Sequence, residues 1–454
     1  MGRARCDAHG WGAIERCNRA APCAKLTAVP PCRNASSPMA LRAACTAICA
    51  LLATVAGAEV QPGDVVTKAT VDRVADLVSP GVRWCIEHGM EMRIVPARPV
   101  ELDHAYREAT EKHAGQTRLS PDGRALIGYV AGLPFPVIDP NDPQVARKIM
   151  WNYEHRPFYT DDLDARDFDA DTGSIDKGPM EVERHYLIDH LRVLYFTGRL
   201  YVDPAPVLPG EAGVRLKFSL HPLLEPFDLK GAGFSSVRYL DPDRQDDTWL
   251  YLPELRRVRR LSSAARSDAL LGQDTDVDSY GGYAGQIPWF EWKFLGQKTV
   301  LVSFHAQHFP VQYCPGGADF VFCDDWELRD VYVVEGTPLD PQYAFGKRVL
   351  FIDKQTFFIA YSDMYDRRGE LWKVWINEYG FRRRARPEAG IEYADEMPFN
   401  HSVSMVDMQL EHATRVALPS ATFPGEEGWY FNQGEKTGLT EKFFTIAHLI
   451  ETGH

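Results

Sequence analysis

The chain has 454 residues, 45% of them hydrophobic, and its 63 Asp+Glu outnumber 50 Lys+Arg for a formal net charge of −13. Such an acidic surface disfavours nucleic acid and anionic membrane surfaces as partners. The length is ample for a large core, as one big β domain or two smaller ones.

Residues 1–38 are rich in Cys, Arg, Ala and Pro without clear periodicity, and are expected to be a disordered upstream extension. Cys6, Cys17, Cys23 and Cys32 lack the paired C-x2-C spacing of a zinc site. The expected true start is Met39, because an export signal follows it. Arg42 gives a short positive region, Ala43 to Val55 an uncharged apolar stretch, and Ala56-Gly57-Ala58 a small-residue cleavage site. The stretch is well short of the roughly 20 residues a membrane-spanning helix needs. The competing reading is a buried N-terminal helix. The residues before Cys45 and Cys49 argue against a lipoprotein cleavage site. Residues 39–58 are thus read as a signal peptide and 59–454 as a single domain delivered to the periplasm. The first 58 residues hold seven Lys/Arg and two Asp/Glu, so the remaining 396 hold 43 and 61, a net charge of −18. No later apolar run is long enough to span a bilayer.

Residues 59–184 look helix-rich. Asp64 to Leu77 predicts a short helix ended by Ser79-Pro80-Gly81. From Val100 to His113, Leu102, Ala105, Tyr106 and Ala109 recur at helical spacing. Asp142-Pro143 predicts a third helix start, with Val145, Ile149 and Tyr153 inward. From 185 to 454 the signal is β. Predicted strands are 185–202, 213–220, 235–240, 248–252, 298–304, 328–335, 348–353, 356–365, 370–379 and 402–412. The short connections 353–355 and 366–369 force antiparallel neighbours. The expected fold class is mainly β (α+β), a large antiparallel sheet.

The stretch 248–252 is apolar on both faces, with Trp249 and Tyr251 on one side. Its second face either packs in a core or lines a cavity. The aromatics Trp249, Tyr251, Trp289, Trp292 and Trp372 are candidates for either role. Cys314 and Cys323 flank a Gly-containing loop, and an oxidising compartment makes them a candidate disulfide, the alternative being two free thiols. Cys85 reads as a small buried apolar residue.

No catalytic motif is present: no G-x-S-x-G elbow, H-E-x-x-H, P-loop, or G-x-G-x-x-G after a strand. His305 and His308 would fall on opposite faces of a strand, unsuited to shared metal ligation. Asp274 to Asp278 resembles the start of a calcium loop but has Ser279 and Gly285 where Gly and Glu belong. A solvated acidic loop is the expectation there. Neither a metal nor a cofactor is called for. Arg256, Arg257, Arg259 and Arg260 crowd four charges into five residues. They are expected either to pair with acids or to dock a headgroup or partner, since Arg forks bind phosphate and carboxylate bidentately.

Several motifs together resemble the bacterial proteins grouped as domain-of-unknown-function family 1329. They are Tyr129 to Pro136, Lys148 with Trp151-Asn152, the arginine run, Asp278 through Tyr283-Ala284-Gly285, Trp292 to Gly296, Tyr332 to Glu335 and Tyr365 to Trp372. The resemblance implies the fold of periplasmic lipoprotein carriers: a curved antiparallel sheet forming an incomplete barrel, its concave face plugged by helices. It also implies an inner-membrane transporter of the resistance-nodulation-division type and an outer-membrane protein as partners, and brings no catalytic residues. The leading expectation is a non-enzymatic carrier for a lipid or other hydrophobic molecule, with 100–113 and 142–153 as plugs. The alternatives are an interaction component of an envelope transport assembly, docking through the arginine run, and a periplasmic hydrolase with a non-standard site.

Overall fold

The structure, a computed structural model, describes residues 60–261, 266–383, 385–386 (backbone only), 390–418 and 428–453. The predicted extension and signal peptide lie outside the described residues.

One antiparallel sheet carries the architecture. Its main strands are β1 (Asp162–Ser174), β2 (Glu181–Tyr195), β3 (Val214–Leu220), β4 (Gly233–Tyr239), β5 (Asp247–Leu252), β6 (Arg257–Arg260), β7 (Phe290–Val302), β8 (Asp325–Pro338), β9 (Lys347–Asp353), β10 (Ile359–Tyr365), β11 (Leu371–Arg382), β12 (Met397–Asp407), β13 (His412–Ala417) and β14 (Trp429–Phe431). The strands run side by side from β7 through β13, then β1 through β6, every neighbour antiparallel. Strand β14 adds to the start of β1, and Met92–Ile94 pairs in parallel with the start of β8. No pairing joins the outer strands β6 and β7 among the described residues, so the sheet stays open. Residues of β4 and of β11, six neighbours apart, line one cavity. The sheet therefore curls into an incomplete barrel.

The strand meander falls close to its expected limits, with three corrections. The strand meander begins at Asp162, before the predicted boundary at 185, because the Asp-rich β1 is a true central strand. Residues 402–412 divide between β12 and β13, which turn back at 408–411. Strand β7 starts at Phe290, eight residues ahead of the expected 298.

The helical region also differs. Asp64 to Leu77 is not a helix; it holds a two-residue strand and one 3-10 turn. Ser79-Pro80-Gly81, expected to end a helix, starts α1 (Pro80–Glu87) instead. Ser79 Oγ accepts from Val82 N at 3.2 Å and Pro80 sits at the first helical position, which the missing N–H tolerates. The Ser79 hydroxyl and the Gly81 amide both donate to Asp363 on β10, at 2.7 and 3.2 Å. A side chain at Gly81 would collide with Asp363 and Val374. This close approach buries Val82, Cys85 and Ile86 against the convex face of β10 and β11. Next come α2 (His104–His113), capped by Asp103, and α3 (Val145–Glu154). Val145, Ile149, Met150 and Tyr153 of α3 pack with Val334, Leu350, Ile352 and Trp375 on the concave face. At β10 and β11 both faces are thus covered. The short α4 (Ile446–Glu451) closes the described chain.

Candidate functional site

The concave face of the other half is not filled. A cavity of about 240 Å³ lies over β11 to β13 and β1 to β4. Strand alternation explains its wall: on β3, Leu216, Phe218 and Leu220 face it, while Lys217 and Ser219 point to the opposite face. Cross-strand register arranges the wall in rows. Tyr195, Leu216 and Arg238 form one row; Leu163, Val193, Phe218, Ser236 and Thr248 the next; Leu191, Leu220 and Phe234 a third. The rows run from charged to wholly apolar. Two residues separate successive rows, so the first and third lie roughly 13 Å apart.

The roof comes from the end of α3 and from the segment 266–284, which contributes Gln273, Thr275, Val277, Tyr280 and Tyr283. Buried ions pin this segment. Asp246 accepts from Arg238 at 2.8 Å and from Arg266 at 2.9 Å, and Arg266 Nε donates to Asp278 Oδ1 at 2.8 Å. Tyr343 Oη donates to the other Asp278 oxygen at 3.1 Å, and Arg348 reaches Tyr343 Oη and the Gly282 carbonyl at 3.2 and 3.1 Å. Arg348 is wholly buried among the rings of Tyr283, Phe290 and Phe345. Gly282 adopts φ +96°, and a Cβ there would strike Ile359. Burial holds the Asp276 carboxyl up at about 6. Burial pushes the Asp246 carboxyl up, but the Arg238 and Arg266 guanidiniums outweigh it and hold the group below the usual carboxylate range.

The five aromatics that were candidates for cavity wall or core are not among the residues lining this cavity. Trp249 packs beside Leu194, Phe196 and Val237, and Tyr251 is buried against Gly453 after α4. Trp292 and Trp372 belong to the core under α3, where Trp292 Nε1 donates to the Ile287 carbonyl at 2.7 Å and Trp372 Nε1 to Asp407 at 2.8 Å. Trp289 flanks the roof network, 4.4 Å from the Arg266 guanidinium. The wall combines aliphatic and Phe positions with other aromatics, among them Tyr195, Trp375 and Trp429. The signal of the β3 positions was the apolar–polar alternation of 214–220.

Arg256, Arg257, Arg259 and Arg260 are exposed on and beside the edge strand β6. Arg260 pairs with Asp247; the other three have no ion pair among the described residues. Cys314 and Cys323 are joined by a disulfide, and Cys85 is buried and free. The acidic run 274–278 is not a solvated loop: Asp274, Asp276 and Asp278 are buried. Each has a protein partner, Asp274 accepting from Thr414 Oγ1 at 2.9 Å and Asp276 from Ser279 Oγ at 2.5 Å. His305 and His308 lie outside any strand, beside Glu327 and Asp324 respectively. Two groups could hold a cation, Asp103/His104/Asp395 and Asp169/Asp171/His185. Each has competing protein bonds: Asp103 caps α2, and Asp171 holds Arg415 at 2.8 Å.

A family model described as protein of unknown function, DUF1329, matches residues 65–449. The uncharacterized Pseudomonas aeruginosa protein PA3922 is 24% identical over 329 residues, 69% of this chain and 68% of that one. Among solved structures, a candidate outer membrane lipoprotein-sorting protein domain from Vibrio parahaemolyticus is similar at TM-score 0.45 and 20% identity, over 67% of this chain and 97% of that one. A DUF1329 family protein from Desulfovibrio piger gives TM-score 0.43 and 14% identity, over 66% and 96%.

Proposed function

This chain belongs to the DUF1329 family, and from that premise we propose that it is an exported carrier or binding protein for a lipid or other hydrophobic molecule of the cell envelope. One observation carries the reading: a cavity of about 240 Å³, walled largely by aliphatic and aromatic side chains, on the concave face of a large open sheet. Apolar surface of this kind gains about 0.8 kcal/mol for each methylene it removes from water. A sixteen-carbon chain fully enclosed would gain roughly 12 kcal/mol gross. The volume lies just under the roughly 300–1,000 Å³ usual for ligand pockets, so it suits one chain rather than a multi-chain lipid enclosed whole. The export signal in the sequence supports a periplasmic setting, and the absence of a catalytic motif supports binding without chemistry.

A ligand held that firmly does not escape into water at a useful rate, so a carrier needs a partner that receives it. The exposed arginines of β6, on an open sheet edge, are the docking surface in this reading, and an envelope transporter is the partner. The test is extraction of the purified chain with organic solvent followed by mass spectrometry. A stoichiometric hydrophobic molecule is expected. A clean extract, with no uptake of added lipid, would leave the cavity without a function.

A further inference from the structure

One end of the cavity holds a charge with no counter-charge. Arg156 follows α3 and lines the cavity. Its Nη1 donates to the Tyr153 carbonyl at 2.8 Å and its guanidinium lies 4.2 Å from the Tyr153 ring centroid. No carboxylate approaches within 4.0 Å among the described residues. Its neighbours are matched: Glu154 holds Arg215, Asp246 holds Arg238 and Arg266, and Asp278 also holds Arg266. Three carboxylates thus face four guanidiniums besides Arg348, and Arg156 is the one left over. An arginine does not lose its proton, and Arg156 is half-buried, so part of its desolvation goes uncompensated without an anion.

Two further donors stand unused at this end. Tyr159 and Tyr195 line the cavity, and neither hydroxyl has an acceptor among the described residues. Burial pushes both phenols up, so they stay protonated and able to donate. Tyr195 stands in the row with Arg238, and the wall turns apolar over the two rows beyond it.

We infer that the cavity's ligand is a single-chain amphiphile with an anionic head, whose oxyanion docks on Arg156 with the Tyr159 and Tyr195 hydroxyls beside it, and whose tail runs toward Leu191, Leu220 and Phe234. This rests on the carrier reading above. It orients the ligand, head by α3 and tail along the strands, and it excludes cationic heads. A guanidinium fork suits a carboxylate or a phosphate equally.

The test is calorimetric titration of the full chain, freed of bound lipid, with laurate, dodecanol and acetate. Laurate is expected to bind tighter than dodecanol by about tenfold to a hundredfold, the usual worth of hydrogen bonds to a charged group. Acetate is expected not to register. Arg156→Met should bring laurate down to the dodecanol level while leaving dodecanol unchanged. Arg156→Lys, which keeps the charge, should retain part of the preference and guards against misfolding of the first variant. Equal binding of laurate and dodecanol to the wild type overturns this inference alone. So does acetate binding as well as laurate, or a folded Arg156→Met that keeps the preference. Binding of neither twelve-carbon chain overturns the carrier reading and takes this inference with it.

Discussion

Filling the cavity from its wall separates ligand binding from folding. Ser236 stands in the middle row, with Phe218 on one side and Thr248 on the other, and its hydroxyl lies 2.9 Å from Thr248 Oγ1. Ser236→Phe would send a phenyl ring into the void. An apolar cavity that takes up benzene measures roughly 150 Å³, so one ring removes more than half of the 240 Å³ available. Burying the ring contributes about 1.5–3 kcal/mol, against about 1 kcal/mol for the lost hydroxyl pair. The ligand-free variant should therefore be as stable as the wild type or up to about 2 kcal/mol more so, a rise of a few degrees in Tm at most. A bound chain would lose room for about six methylenes, about 5 kcal/mol, which is more than three decades in Kd. Differential scanning calorimetry and laurate titration together decide it. A variant that melts at or above the wild-type temperature yet binds laurate unchanged would refute the assignment of this cavity as the ligand site.

Glu378, buried between β11 and β12, is pushed up to about 8 by burial and by Asp324, against the opposing Ser402 hydroxyl. A carboxyl that holds its proton more tightly folded than unfolded stabilises the fold fully below its unfolded pKa, and that contribution fades as pH rises toward about 8. Glu378→Gln should therefore gain on the wild type by on the order of 1 kcal/mol per pH unit between about pH 5 and pH 8, and parallel denaturation curves across that range would contradict the burial argument. Replacing Cys314 and Cys323 by Ser opens a loop spanning a separation of 9 residues and should cost about 2–3 kcal/mol in urea unfolding; no change would mean that the loop closes without the bond. Asp278→Ala leaves Arg266 with Asp246 as its carboxylate partner and removes the acceptor of Tyr343, so a loss of about 1–3 kcal/mol is expected, with laurate affinity falling as the roof loosens. Full affinity in that variant would show that the roof does not hold the ligand.

The strands from 348 to 379 were legible because β-branched and aromatic residues alternate there between short polar turns. The same reasoning missed β1. Asp162, Asp164, Asp169 and Asp171 fall in the stretch expected to be helix-rich, yet partners that hold them sit far away in sequence: Asp162 accepts the amides of Gln433 and Gly434, and Asp164 holds His190. The meaning of a buried carboxylate depends on its partners, and spacing along the chain does not reveal them. The start of α1 was misread because Ser-Pro-Gly serves equally as a break and as an N-cap followed by proline. The two roles open to the five aromatics, cavity wall or core, could not be separated for a related reason. Trp249 and Tyr251 do need cover, but the C-terminal segment supplies it, and whether a face is filled is decided by elements distant in sequence. The roof segment 266–284 has no helical or strand period, so nothing in its pattern announced that it would span the sheet.

Why the void persists follows from lengths. Helix α3 has ten residues, about 15 Å, and strands stand about 4.8 Å apart. One such helix laid across a sheet covers about three strands, far fewer than the concave face presents. The sheet cannot flatten onto itself either, because strong twist and a continuous meander keep it curled. The remaining cover is the roof segment, held by ion pairs as well as by Tyr280 and Tyr283 packing on Trp375, Phe290 and Trp292. Asp278, Arg266 and Asp246 fix it at distances that collapse would break, stranding charges in an apolar space. A purely hydrophobic roof would sink until the cavity closed. The buried ions therefore do more than anchor a loop: they hold an apolar surface open against the force that would otherwise close it, which is what reversible binding of a hydrophobic ligand requires.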